Sequence, residues 1–260
     1  MAEGGARDPW YENWFGEEYL AVYPDRDDEE AARQADFARR LLAPFSDRGR
    51  MRFLDLACGT GRHAVALDPE SGRVAGLDLS LPLLLAARRR GERTARGYAR
   101  GDMRRLPFRS GSFGAVVNFF TSFGYFDDEA DDARVVAEVA RVLAPGGAFL
   151  SDVFNVERVV AALAALEEKT VDGVRIRIRR RYDPAARRVE KEIEMGEGER
   201  RRVFHERVRA FCERELRALH AAAGLSVVGV FGDFDGTPFD ARRSPRLILL
   251  GVKDGAARAA

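Results

Sequence analysis

The chain has 260 residues, of which 46% are hydrophobic and 33% charged, with a formal net charge of +1. That length buries one large core, and near-neutrality excludes a global field drawing the protein to nucleic acid or membrane. Its two cysteines, Cys58 and Cys212, make no C-x-x-C pair and no disulfide framework, the first residues lack a basic-then-apolar leader, and no uncharged stretch is long enough to span a bilayer. A cytoplasmic protein without a membrane partner is expected.

Residues 10–45 read as helical but irregular, with Trp10, Tyr11, Trp14, Phe15, Tyr19 and Tyr23 clustered ahead of an acidic run. Apolar positions recur at helical spacing from Ala31 to Leu42. Strands and helices then alternate. Arg52–Ala57 is a short apolar strand that ends in a glycine loop, Val74–Asp78 a second strand and Leu81–Arg90 the helix after it. Tyr98–Gly101 and Phe113–Phe119 are a third and a fourth strand. Asp131–Leu143 is a helix, broken at Pro145-Gly146-Gly147, and Ala148–Phe154 is a fifth strand. Such alternation implies a parallel sheet with helices on both faces.

The pattern changes after Ala165. Val174–Arg179 alternates apolar and basic residues, Val189–Met195 alternates apolar and acidic ones, and Arg202–Phe211 is a third strand. Period two marks half-exposed antiparallel strands, and opposite charges on neighbouring strands favour pairing. Glu213–Ala223 returns to helix, ended by Gly224. Ser226–Phe231 and Arg246–Val252 complete seven strands of an α/β sheet. Three units are expected: a helical cap over residues 1–45, a core over 46–164 and 213–254, and an antiparallel insertion over 165–212.

The chemistry starts at Gly59-x-Gly61, between the first strand and its helix. Glycines there permit a tight turn and close approach of a ligand. Alone the motif is weak, being shared with nicotinamide-binding folds. Three carboxylates sharpen it. Asp55 lies just before the loop and can accept from a cationic amino group. Asp78 ends the second strand at the spacing of an acid that grips ribose hydroxyls. Asp102 follows the third strand and can accept from an exocyclic adenine amine, with Met103 against the ring. One such acid is commonly a helix cap, but three at successive carboxyl ends mark a ligand edge. A dehydrogenase would carry a proton-transfer group, yet no Tyr-x-x-x-Lys occurs and all three lysines lie after residue 165.

Asp55-Leu-Ala-Cys-Gly-Thr-Gly61, Gly76-Leu-Asp-Leu-Ser80, Gly101-Asp-Met103 and Arg141-Val-Leu-Ala-Pro-Gly-Gly147 resemble successive motifs of the class I S-adenosylmethionine-dependent methyltransferases. The resemblance covers residues 50–155 well, and departs at Ala57, where the family often has a third glycine. It implies a Rossmann-like fold and S-adenosylmethionine as cofactor. Asp55, Ala57, Cys58, Gly59 and Gly61 would lie at the methionine part, Asp78 on ribose, Leu79 and Met103 beside adenine, Asp102 at the amine, and Asn118 and Phe119 at the end of the fourth strand.

Asn118-Phe-Phe-Thr121 stands where enzymes acting on exocyclic amines of DNA bases carry Asn-Pro-Pro-aromatic, which argues against those substrates. No cysteine follows that strand closely enough for cytosine-C5 chemistry. Asp152 and Asn155 read better as helix caps than as metal ligands, so no metal is expected. Phe119, Phe120, Phe123 and Tyr125 either wall the site or pack in the core. Trp14, Phe15, Tyr19 and Tyr23 either form a lid or an ordinary amphipathic helix. His63 reads as a first-turn helix residue rather than a base. His205, Tyr125, Asp233 and Arg242 are candidate proton-transfer groups by location only. The insertion resembles, more weakly, that of small-molecule methyltransferases, where it covers the substrate site or makes a dimer contact. A small molecule, methylated at nitrogen or oxygen, is the expected acceptor. The alternatives are RNA- or protein-directed transfer and a non-catalytic binding protein. The acids beside the arginines of residues 175–181 argue against nucleic acid.

Overall fold

In the computed structural model the described residues are 9–23, 28–45, 52–67, 73–90 and 97–255. The N-terminal region supplies α1 (Trp10–Trp14) and α2 (Glu17–Val22), called the cap below, and α3 (Asp28–Leu42), which packs in the core of the large sheet. The alternating region follows as β1 (Phe53–Leu56), α4 (Arg62–Leu67), β2 (Val74–Asp78), α5 (Leu81–Arg90), β3 (Gly97–Arg100), β4 (Phe113–Asn118), α6 (Glu129–Val142), β5 (Leu143–Phe154) and α7 (Val156–Ala161). Four strands come next, β6 (Leu166–Val171), β7 (Val174–Asp183), β8 (Arg188–Met195) and β9 (Arg202–Arg209), then α8 (Glu213–Ala222), β10 (Leu225–Phe231) and β11 (Arg246–Lys253).

Seven strands form one sheet in the order β10-β11-β5-β4-β1-β2-β3. β1 to β5 pair in parallel, and β11 runs antiparallel between β5 and β10. Alternate residues of each strand go to opposite faces. Val116, Phe149, Leu247 and Leu249 enter one core with α6 and α8, while Ala115, Val117, Leu150 and Ile248 enter another with α3 and α4. The chain order reverses between β1 and β4, which opens a crevice at the carboxyl ends of the strands.

The second sheet has four strands in the order β6-β7-β8-β9, one more than the sequence periodicity predicts. β6 escapes an apolar-pattern reading because it is a polar edge strand. Its signal lies in the turn: Asp172 (φ 50°) and Gly173 (φ 78°) are both left-handed, the geometry for which Asp-Gly is favoured in two-residue hairpins. β5 also starts earlier than expected, at Leu143, because α6 passes straight into strand and a register shift against β4 absorbs Pro145-Gly146-Gly147.

The inner face of the small sheet, Ile176, Ile178, Ile193 and Met195, packs on Trp14, Tyr19 and Val22 of the cap. Trp14 is fully buried, and its indole N–H donates to Glu206 Oε1 at 2.7 Å. Lys169 Nζ donates to the carbonyl of Val22 at 2.8 Å, and Arg202 pairs with Glu18. Cap and small sheet therefore share one core. Replacing Trp14 with Ala should cost about 3–5 kcal/mol, the range for emptying a large aromatic site. Denaturant unfolding measures it; a loss below 1 kcal/mol would mean that this core does not hold the cap.

Candidate active site

The turn from β1 into α4 is built on left-handed backbone at Ala57 (φ 57°), Gly59 (φ 53°) and Gly61 (φ 73°). At Gly61 a Cβ would come within 2.6 Å of the Tyr98 hydroxyl, and at Gly76 within 2.7 Å of Cys58 Sγ, so the loop, β2 and β3 press together. Asp78 fastens the loop to β2. Its Oδ2 accepts from the backbone N–H of Gly59 and its Oδ1 from that of Ser80, each at 2.8 Å.

Asp55 is 1% exposed. The backbone N–H of Ala64 donates to its carboxyl, but Oδ2 is buried with no partner. Burial, reinforced by the charge of Asp78, pushes the Asp55 carboxyl up to about 8. An orphaned oxygen of this kind costs free energy unless a donor arrives. Burial also raises Asp78 and the Cys58 thiol. Asp102 is clasped by Arg104, whose Nε and Nη2 donate to it at 3.0 Å and 2.6 Å and whose Nη1 reaches Asp131 at 2.8 Å. The Arg104 guanidinium lies 4.7 Å from the Phe126 ring centroid, so the third acid is held by an ion pair and a ring stack.

These acids line one half of a cavity of about 570 Å³, within the usual range of small-molecule sites. The other half lies under the ends of β4, β5 and β11. There Phe120 (φ 64°) and Thr121 (φ 61°) are two successive left-handed residues without glycine. Side chains pin them in place. The Phe120 N–H donates to Asp152 Oδ2 at 2.7 Å, Arg246 Nε donates to Asp152 Oδ1 at 2.7 Å, and Arg246 Nη2 donates to Thr121 Oγ1 at 3.0 Å. Arg62 and Arg246 stand 5.1 Å and 5.9 Å from the Phe120 ring centroid. Strain of this type is typical of ligand sites.

The cap and small sheet close the cavity. Trp10, Phe15, Tyr19 and Tyr23 line it from the cap, and Trp10 and Phe15 meet Tyr125 from the loop after β4. Tyr125 stacks on Phe15 at 5.6 Å and stands edge-on to Trp10 at 4.9 Å. The cap is tied down by Ser80, whose hydroxyl donates to the Phe15 carbonyl. Arg180, Lys191 and Glu206 form a cross-strand row on the inner face of the small sheet and line the cavity. Lys191 Nζ pairs with Glu206 Oε2 at 2.7 Å.

The cavity brings together Asp55, Ala57, Cys58, Gly59, Asp78, Leu79, Asp102, Met103 and Phe119 of the expected cofactor residues, and Phe15, Tyr19, Tyr23 and Tyr125 of the expected lid. Other expected residues do not line it. Gly61 serves the turn beneath. Asn118 is 2% exposed and spends its amide on the carbonyls of Leu56 and Ser122, tying β4 to β1. Trp14 is in the cap core, and Phe123 stacks on Phe211 in the main core at 5.1 Å. His205 faces solvent, because the alternation of β9 sends Phe204, Glu206 and Val208 inward instead. Asp233 and Arg242 lie outside the cavity lining. His63, in α4, does line the cavity, stacked on Phe119 at 4.5 Å with Nε2 2.5 Å from Gln34 Oε1. Asn155 caps α7, whereas Asp152 caps nothing and pins the strained loop instead.

Ala57 occupies a conformation that costs a non-glycine residue about 1–2 kcal/mol. Ala57→Gly should therefore leave stability unchanged or raise it by up to ~1 kcal/mol after the added chain entropy. Ala57→Val should lose stability. Thermal unfolding reads both, and a clear loss in the glycine variant would show that the alanine methyl is needed.

Residues 53–147 match the family described as a methyltransferase domain. A dTDP-3-amino-3,6-dideoxy-alpha-D-glucopyranose N,N-dimethyltransferase of Streptomyces fradiae is 33% identical over 184 residues, 67% of this chain and 69% of that one. A dTDP-3-amino-3,4,6-trideoxy-alpha-D-glucopyranose N,N-dimethyltransferase of Streptomyces venezuelae is 36% identical over 138 residues, 53% of this chain and 56% of that protein, so the chain spans little more than half the length of this relative. Among solved structures, an S-adenosylmethionine-dependent methyltransferase of Clostridium acetobutylicum superposes with a TM-score of 0.76 at 22% identity, covering 94% of this chain and 99% of that one. The chain belongs to the S-adenosylmethionine-dependent methyltransferase family.

Proposed function

We propose that the protein methylates a small molecule at nitrogen or oxygen. The observation that carries this reading is the closed cavity with unlike halves: an unsatisfied buried carboxyl oxygen on Asp55 beside two further acids, facing an aromatic and apolar half roofed by the cap and small sheet. When bound, S-adenosylmethionine supplies an electrophilic methyl group on a sulfonium. Asp55 fits the cationic amino group of the methionine part, which gives its orphaned oxygen a donor. Asp78, with a lone pair left beyond its backbone contacts to Gly59, Leu79 and Ser80, fits ribose hydroxyls. Asp102, Leu79 and Met103 fit the adenine. The rings of Trp10, Phe15, Tyr19 and Tyr125 exclude water and offer π-faces to a cation. The names of the two Streptomyces relatives support nitrogen as acceptor.

The arginines of β7 speak against an RNA-directed role. Arg175, Arg177, Arg179, Arg180 and Arg181 pair with Glu197, Glu168, Glu192, Glu167 and Glu190 respectively, which leaves no unbalanced basic strip for phosphates. Within residues 1–45, α1 and α2 act as the cap while α3 packs in the core of the large sheet; 46–164 with 213–254 act as the cofactor core and 165–212 as the cover. For the insertion, cover is better supported than dimer contact, because its apolar face is already spent on the cap. No helix among the described residues is long and apolar enough to cross a membrane. A cytoplasmic location is supported by the buried free thiol of Cys58 in the cofactor loop, which a reducing medium preserves.

The proton linkage follows from Asp55. Its folded value, about 8, lies above the unfolded one, so between pH ~4 and ~8 the folded state keeps a proton that the unfolded state has lost, and ligand-free stability falls as pH rises. An arriving ammonium reverses this by favouring the carboxylate. Calorimetry with S-adenosylhomocysteine should show release of close to one proton at pH 7 and affinity rising up to tenfold per pH unit between pH 6 and 8. Asp55→Asn should abolish the pH dependence and weaken binding by about 1.5–3 kcal/mol. Failure to bind, or a pH-independent affinity in the unsubstituted protein, would defeat the assignment.

A further inference from the structure

The half of the cavity away from the three acids is lined by Phe120, Phe154, Val159, Leu163, Val189 and Val208. Its wall does not stop at the rim. Val159 and Leu163 face inward, and around them Val160, Ala161, Ala162, Ala164, Ala165 and Leu166 are exposed. Val160, 37% exposed, is among the few large hydrophobic side chains left open to solvent in the described residues, whereas Leu166 opposes Arg179 and so lies on the outer face of the small sheet. Residues 159–166 thus carry no charge and no hydrogen-bonding side chain, in a chain of which 33% is charged, and charged residues resume on both sides at Glu157-Arg158 and Glu167-Glu168-Lys169. The strip is fixed along the rim, because the Ala165 carbonyl accepts from the backbone N–H of Arg180, itself a cavity residue, at 2.9 Å. Exposed apolar surface continuous with an apolar cavity marks binding area rather than chance.

The charges of this half are balanced. Arg180, Lys191 and Arg246 pair with Glu167, Glu206 and Asp152. Arg62, beside Phe120, pairs with Glu30, so among the described residues no cation lining this half is left over for a phosphate or diphosphate. Glu206, held by the Trp14 indole and by Lys191, is a polar group of the roof with lone pairs to spare.

We propose, resting on the cofactor reading above, that the methyl acceptor is an amphiphile. Its polar head hydrogen-bonds at Glu206 and Lys191, and its hydrocarbon or ring tail runs past Val159 and Leu163 onto the rim formed by residues 159–165.

The test uses the full chain loaded with S-adenosylhomocysteine and titrated with n-alkylamines from butyl to decyl, each below its aggregation concentration, and in parallel with thymidine diphosphate. Affinity should rise by up to about fourfold per methylene, the value for full burial of a CH₂ group, and should exceed that for the nucleotide. In the Val160→Ser variant, whose change is on the exposed rim, the increment should fall by at least half for the octyl and decyl amines while the affinity for S-adenosylhomocysteine is unchanged. No dependence on chain length, an identical increment in the variant, or tighter binding of the nucleotide would overturn the amphiphile alone. Failure of S-adenosylhomocysteine to bind would overturn the cofactor reading and this proposal together.

Discussion

A carboxyl group buried without a full set of partners constrains everything around it. Asp55 is placed at the end of β1 by the hydrophobic residues Leu54 and Leu56 on either side, both of which enter the core. The same burial that seats the strand strips the carboxyl of water. Its neighbours can satisfy one oxygen through Ala64 but not the other. Asp78, close enough to raise Asp55 further, cannot move away because it holds the N–H groups of Gly59 and Ser80. The ligand-free site therefore keeps a protonated carboxyl with an unpartnered oxygen, which a cationic ligand relieves, a common way for a site to exchange stability for affinity.

The closure of the site depends on a different set of forces. The cap helices α1 and α2 are too short to persist alone. They are ordered by burying Trp14, Tyr19 and Val22 against the small sheet. That packing also builds chemistry, because the Trp14 indole and Lys191 together fix Glu206 over the cavity. Core and site meet in one residue: Trp14 contributes apolar area on its rings and positional control through its N–H.

Much of the cofactor half was legible in the sequence because it is local. A strand, a glycine turn and a helix follow one another within residues 53–67, and the acids that matter end consecutive parallel strands. What stayed hidden is long-range or two-sided. The clasp of Arg104 on Asp102 spans two residues but depends on Asp131 and Phe126 from elsewhere. Aromatic identity alone does not tell a cavity wall from a core, so Trp14 and Phe123 fall on the core side and Tyr125 on the site side. His205 was a candidate by position in the chain, but the pleat of β9 gives the inward place to Glu206. The left-handed pair Phe120 and Thr121 carries no local signal, since its partners, Asp152 and Arg246, lie about 30 and 125 residues onward. The hairpin that adds β6 is signalled only by Asp172-Gly173, because its flanking strand is polar and carries no apolar alternation.

The claim on which the account rests is the state of Asp55. Carbon-13 NMR of its side-chain carboxyl, followed from pH 4 to 9 with and without S-adenosylhomocysteine, reads that state at the atom concerned. The account predicts a titration midpoint near 8 in the free protein and an ionised carboxylate throughout that range once the ligand is bound. A midpoint in the ordinary carboxylate range in the free protein, or a titration unmoved by the ligand, would contradict it.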